Sequence, residues 1–329
     1  MKKILVTGGA GYIGSHTVRA LEKEGYEILI FDNLSSGHKD AIKGFNLLLG
    51  DLSSYEDINK AIKKFKPDAV VHFAGSIEAG ESMTDPARFY QNNVINSLNL
   101  VNAMVENNVK KIVFSSSAAI YGEPKKTPIR ENDTKKPTNV YGLTKLIFEE
   151  ILHSYNYAYG LKSISLRYFN AAGADPSGDI GADHKNKTHL ITLALLTALG
   201  QRDSIKIFGT DYNTKDGTCI RDYIHVNDLA DAHILALKAL EDGDNTTAYN
   251  LGNGIGHSVR EVLETAKKIT GIDFKVVDEP RREGDPAILY ASSDKAMNEL
   301  GWKPKFDSIE QIVETAWKWH KKNPNGFEK

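Results

Sequence analysis

The amino-acid sequence predicts an α/β protein, a doubly wound parallel sheet over residues 1–169 followed by a smaller α+β domain over residues 170–329. Three observations predict it. Short apolar runs alternate with helical segments through the first half, those runs lack strict polar alternation, and a glycine-rich turn follows the first run. Unbroken apolar runs suit strands covered on both faces, as in a parallel sheet. The strands are expected at residues 3–6, 28–31, 47–49, 69–73, 111–114 and 163–166. Between them, Ile13, Val18 and Leu21, and then Val94, Leu98, Val101 and Val105, recur at amphipathic helical spacing. Past Asn170 the alternation fails, and residues 173–187, polar and rich in Gly and Asp, read as a long loop. Helices are expected at 190–199, 229–240, 259–269 and 309–319, mixed with short strands. Residues 226–251 read as one further αβ unit that would return to the first sheet, which would make the boundary discontinuous.

Composition narrows the function classes. The 329 residues carry 41 Lys+Arg against 43 Asp+Glu, a formal charge of -2, and 41% are hydrophobic. A chain of this length buries about three quarters of its unfolded surface, so disorder is excluded as the main state. Balanced charge argues against nucleic acid or an anionic membrane as the main partner and favours small molecules. The lone Cys219 has no partner for an internal disulfide and reads as a packing residue. The apolar run at residues 4–6 stops at Thr7-Gly8-Gly9, too short for a signal-peptide core, so the cytoplasm is expected. No apolar stretch approaches the roughly 20 residues that span a bilayer. Asp183, His184 and His189 lie close in sequence but match no zinc or facial-triad spacing, and no metal is expected.

Gly9-x-Gly11-x-x-Gly14 follows the first strand, and Gly8, Gly11 and Gly14 also fit a wider G-x-x-G-x-x-G spacing. Such a turn lets backbone N–H groups and a helix N-terminus approach a pyrophosphate, as in a Rossmann sheet. Asp32 closes the second strand, placed to accept from an adenosine ribose and to repel a 2′-phosphate, which favours NAD over NADP.

Tyr141 and Lys145 are four apart at the start of a helical segment, so both side chains share one face. A nearby ammonium, reinforced by the positive nicotinamide ring, favours phenolate and makes Tyr141 a candidate general base. Ser115-Ser116-Ser117 closes the strand at 111–114, at the carboxyl edge where such sheets bind ligands, and Ser117 is positioned to hydrogen-bond a reacting oxygen.

Together these residues resemble the extended short-chain dehydrogenase/reductase family, with its TGxxGxxG turn, strand-end Ser and YxxxK motif. The likeness runs through both domains, in residues 6–16, 31–34, 72–75, 168–170, 222–226 and 281–285, and is closest to the family's nucleotide-sugar 4-epimerases. It implies tightly held NAD recycled within each turnover and interconversion of UDP-galactose and UDP-glucose. Tyr141 would take the 4′-hydroxyl proton as C4′ is oxidised, and the 4-ketose would be reduced on its opposite face. The implied cofactor residues are Gly8, Gly11, Tyr12, Ile13, Gly14, Asp32, Asn33, Ser36, Asp51, Leu52, Phe73, Ala74, Gly75, Asn92, Ser117, Tyr141, Lys145 and Phe169. Substrate contacts are implied for Ser117, Tyr141, Asn170, His189, Leu190, Phe208, Arg221, Arg282 and Asp285, with the arginines on the diphosphate and Phe208 against the uracil. A homodimer paired through helices of the first domain is also implied by the resemblance alone, with Phe89, Val94, Leu98, Val101, Ile147, Ile151 and Leu152 as the candidate face, although core is the more common role for such residues.

Three departures stand out. Ile77 occupies a position where many members carry a ribose-facing Lys, His189-Leu190 replaces Asn-Leu, and Leu289, of intermediate bulk, stands near the sugar 2′ position. Leu289 leaves use of N-acetylated UDP-hexoses open. Ala118 and Ala119 follow Ser117, where dehydratase relatives carry an Asp-Glu pair, so elimination of water is disfavoured. The remaining alternatives are a net NAD-dependent dehydrogenase and a non-catalytic NAD-binding protein on the same fold.

Overall fold

A computed structural model describes residues 2–243, 245–282 and 285–327. The chain opens with β1 (Lys3–Thr7), α1 (Tyr12–Lys23), β2 (Glu27–Asp32), β3 (Leu47–Leu49), α2 (Tyr55–Phe65) and β4 (Ala69–His72). The helices α3 (Ala79–Thr84), α4 (Pro86–Tyr90) and α5 (Asn96–Glu106) lead to β5 (Lys111–Ser115), then α6 (Val140–Tyr159) and β6 (Lys162–Tyr168). Each strand pairs in parallel with its neighbours. Alternate residues of one strand then serve opposite faces. Ile4 and Val6 pack in one core with Val18 and Leu21 of α1, whereas Leu5 joins Ile58 and Ile62 of α2, Leu100 of α5 and Phe148 of α6.

The segment expected to run as one regular helix through Val94 does not. A π-helical turn at Gln91–Ile95 separates α4 from α5, and the extra residue turns Asn93 inward.

Beyond β7 (Asn170–Ala172) come α7 (Leu190–Ala198), β8 (Ile205–Phe208), β9 (Ile220–Arg221) and β10 (Tyr223–His225), the last paired with β7. The next unit, α8 (Val226–Asp242) and β11 (Thr247–Leu251), leaves this region: β11 pairs with β6 and completes a seven-stranded sheet of order β11-β6-β5-β4-β1-β2-β3. Leu229 and Leu237 of α8 share a core with Leu21 of α1. The chain then forms β12 (His257–Ser258), α9 (Val259–Thr270), β13 (Val276–Glu279), β14 (Ile288–Leu289), α10 (Asp294–Glu299) and α11 (Ile309–Lys322). A separate core joins Leu195 of α7, Ile205 and Ile207 of β8, Val262 of α9 and Val313 of α11. Two small sheets are separate from the large one: β9 lies between β12 and β14, and β8 pairs with β13. Among the described residues, no helix is long and apolar enough to cross a membrane.

Candidate active site

The glycine turn is closed by contacts that only glycine permits. Gly8 has φ +71 and a Cβ there would sit 2.5 Å from the Ala74 nitrogen, while a Cβ on Gly14 would collide with the Gly8 carbonyl. Gly11 caps α1 with no side chain, leaving the first-turn N–H groups facing outward. This backbone cradle fits a dinucleotide pyrophosphate. Asp32 is 8% exposed; its two oxygens accept from the N–H groups of Ala10 (2.9 Å) and Leu34 (2.8 Å). Each oxygen keeps a further lone pair for a ribose hydroxyl. Burial raises the Asp32 carboxyl, and those two backbone bonds oppose the rise.

The other predicted cofactor residues gather around this edge. Asn33 Nδ2 donates to Asp51 Oδ2 at 2.6 Å, and Leu52 is buried behind that pair. Ser36 is exposed on the loop whose next residues close on Ala10, through His38 N donating to Ala10 O at 3.0 Å. The Phe73 and Ala74 amides both donate to Thr7 O at the end of β1. Asn92 Nδ2 donates to Ser76 Oγ at 2.9 Å, and Gly75 lies against Asn93 and the Lys145 ammonium. Ile13 packs on the α1 face of the sheet and Phe169 on a small cluster at Ala118, Ile120, Tyr121 and Ile129.

The Tyr12 hydroxyl donates to Gly173 O at 2.7 Å, linking the start of α1 to the exit of β7. Tyr12 lines a cavity of about 50 Å³ with Asn170, His184, His189, Leu190 and Tyr223.

Ser117, Tyr141 and Lys145 converge. Ser117 caps a 3-10 turn at Ala118–Tyr121, accepting from Ala119 N at 3.1 Å. Asn139 caps α6, and Gly142 lets that helix abut the turn, because a Cβ there would stand 2.5 Å from Ala119 O. The Ser117 hydroxyl is thereby brought close enough to the Tyr141 phenol to lower it. One helical turn on, Lys145 is 4% exposed; its ammonium donates to Ser115 O at 2.9 Å and lies 4.8 Å from the Phe114 ring and 5.8 Å from the Tyr141 ring. Burial lowers Lys145 from 10.5 to about 8, opposed by Glu149. The expected depression of Tyr141 is not a property of the chain by itself: burial raises the phenol, the nearby Ser117 hydroxyl lowers it and Glu78 raises it. The Lys145 ammonium, 5.8 Å from the ring centroid, and the positive ring of a bound NAD are the charges that would lower the phenol further.

Across the cleft, Asn170 donates from both N and Nδ2 to Asp222 O. Arg221 pairs with Asp285 at 3.4 Å. The Arg282 guanidinium sits 3.7 Å over the Phe208 ring, so two residues assigned to different ends of the substrate touch one another through a cation–π contact. Glu283 and Gly284 of that motif lie outside the described residues. His189 is the N-cap of α7, with its Nδ1 buried and unpartnered and its ring stacked on His184 at 4.7 Å. Leu289 pairs in register with Arg221 and packs on the cluster beneath Ser117, while Ile77 is exposed.

Sequence reasoning passed over Asn93, whose side chain bridges Ser76 and Thr144, and Glu149, four residues beyond Lys145. The second had a local signal, an acidic residue on the inward face of an amphipathic helix.

Fold and motifs together are those of an extended short-chain dehydrogenase/reductase. Residues 4–252 match the model of the NAD dependent epimerase/dehydratase family, and the chain belongs to that family. A protein of Halalkalibacterium halodurans named UDP-glucose 4-epimerase is 51% identical over 324 residues, covering 98% of this chain and 97% of that protein. A crystal structure of a UDP-glucose 4-epimerase superposes with TM-score 0.97 at 49% identity, covering all of both chains. The UDP-glucose 4-epimerase of Bifidobacterium longum, in complex with NAD+ and UDP, gives TM-score 0.93 at 38% identity over 99% of this chain and 100% of that one.

Proposed function

We propose that this chain interconverts UDP-galactose and UDP-glucose by inversion at C4′, with NAD as a resident cofactor. The observation that carries the reading is Ser117 and Tyr141 brought together beside buried Lys145, with Arg221 paired in register with Leu289, which packs on the cluster next to Ser117. NAD, when bound, accepts the C4′ hydride and gives it back, so no net redox change results. The Gly8, Gly11 and Gly14 turn holds the pyrophosphate and Asp32 the adenosine ribose. Tyr141 Oη takes the proton from the 4′-hydroxyl in the first half and returns it to the ketone oxygen in the second. Ser117 Oγ hydrogen-bonds that same oxygen, and the Lys145 ammonium favours the phenolate form of Tyr141.

Inversion requires the ketose to present both faces while its carrier stays bound. Arg221 and Arg282 suit the diphosphate, and Phe208 the uracil, so that binding energy is spent remote from the reacting carbon. For Phe208 to stack on the base, the Arg282 fork must swing from the ring onto a phosphate. Asn170, His189, Leu190 and Asp285 complete this grip. Residues 1–169, joined by 226–251, form the NAD-binding domain of the proposal, and the rest of the chain forms the UDP-sugar domain. The proposal extends to a homodimer in the cytoplasm serving galactose metabolism. Of its candidate face, Phe89, Val101 and Leu152 are buried in the core of one chain, which leaves Val94, Leu98, Ile147 and Ile151, with exposed Ile95, for pairing.

A coupled assay tests the activity: UDP-galactose is supplied and an added UDP-glucose dehydrogenase oxidises any UDP-glucose formed. Sustained oxidation dependent on this chain is expected, and none would overturn the reading. The moderate bulk of Leu289 beside Arg221 favours a second reading, in which UDP-N-acetylgalactosamine is also accepted. Proton NMR of that substrate would show epimerisation or its absence.

A further inference from the structure

Behind the Ser117–Tyr141–Lys145 group lies a buried charge pair that the proposed chemistry has not used. Glu149, one helical turn past Lys145 on α6, is 3% exposed. Its Oε1 accepts from Ser116 Oγ at 2.5 Å and from Arg167 Nε at 2.9 Å, and its Oε2 from Arg167 Nη2 at 2.5 Å. Arg167, on β6 and 4% exposed, donates onward to Tyr121 OH and Glu131 O; Tyr121 OH in turn donates to Asn250 Oδ1 on β11. Arg167 thus pairs directly with a carboxylate whose charge also acts on Lys145, one turn earlier on the same helix.

We propose that Glu149 and Arg167 are positioning residues that set the charge of Lys145 and fix the strand end bearing Ser117 against the helix bearing Tyr141. The inference rests on the reading of Tyr141 and Lys145 as the acid–base pair. Glu149 grips Ser116, between Ser115, whose carbonyl receives the Lys145 ammonium, and Ser117. It therefore ties β5, β6 and α6 at one point. A buried ion pair of this kind often contributes little net stability, so a role in setting the charge beside it accounts for its presence.

The other groups that face Lys145 leave Glu149 as its one anionic neighbour among the described residues. His72 of β4, bonded to Thr7 Oγ1 and Ser97 Oγ, is held neutral by burial. Phe114 and the Ser115 carbonyl face it from β5, Tyr141 from α6, and Gly75 from the turn after β4. Tyr168 of β6 is a neutral phenol bonded to Ser115 Oγ. Glu78 acts on Tyr141 and His189.

The test is the pH profile of kcat for UDP-galactose. Glu149→Gln removes the anion and leaves Arg167 unpaired, so the alkaline limb should move to lower pH by about one unit. That is a loss of about fivefold at pH 8 with little at pH 6 and an unchanged KM. Glu149→Gln with Arg167→Met removes both charges and should bring the limb back. Should Glu149→Gln fail to fold, Arg167→Gln reads the coupling with opposite sign and should move the limb up. A limb that stays in place, with only a pH-independent loss, would leave the pair a purely structural brace and overturn the inference. Tyr141→Phe distinguishes the two levels: if it keeps full turnover, the acid–base reading itself fails, whatever the limb does.

Discussion

Tyr141 is asked to ionise in a place that opposes ionisation. Desolvation raises its phenol, and the Ser117 hydroxyl alone offsets only part of this. A base that becomes competent only with the cofactor in place is one that does not titrate idly in the empty cleft. Tyr141→Phe should lower kcat by about a hundredfold or more and leave UDP binding intact, measured by turnover and by calorimetric titration with UDP. Near-normal turnover would remove the residue from its role. Lys145, brought to about 8, is cationic below that value and neutral above it. Activity should therefore hold through neutral pH and fall as the pH rises past about 8, read from kcat over pH 6 to 9.5 in the unaltered protein. A profile flat across that range would separate Lys145 from the reaction. Asp32 has a simpler duty. Its replacement by Ser removes the charge that repels a 2′-phosphate, and NADP should then compete with NAD for the refolded apoprotein. Unchanged cofactor preference would sink the assignment.

Elements decide how these residues meet. Gly142 carries no side chain where α6 touches the 3-10 turn after Ser117, and Asn139 caps the helix through Gly142 N at 2.8 Å. Gly142→Ala should push the helix off the turn and separate Tyr141 from Ser117, so kcat falls about tenfold or more while NAD stays bound. Retained NAD with unchanged kcat would show that the helix tolerates the displacement. The glycine turn, Asp32 and the Tyr–Lys spacing were legible because each is local: a β-turn-helix, a strand end and one helical turn state their geometry within a few residues. What the sequence hid depends on distant pairing. The π turn at Gln91–Ile95 has no compositional mark, Tyr12 bonds Gly173 across 161 positions, and Arg282 covering Phe208 joins segments far apart in the chain. Glu149 shows its inward placement locally, but its partner Arg167 is brought to it only by β6.

At the scale of the whole molecule, the two regions are interleaved. The chain leaves the sheet at β7, returns through α8 and β11, then leaves again, so the region bearing Arg221 and Arg282 is anchored on both sides of that return. Such interleaving fixes the distance between the region bearing Arg221 and Arg282 and the edge bearing Ser117 and Tyr141. In the proposed function, chemistry at C4′ runs in a closed cycle with resident cofactor. Its most direct measurement is to incubate the purified protein with UDP-galactose, add no NAD, and follow the sugar anomeric signals by proton NMR. Conversion to a mixture richer in UDP-glucose is expected. Failure to convert, even after NAD is supplied, would contradict it.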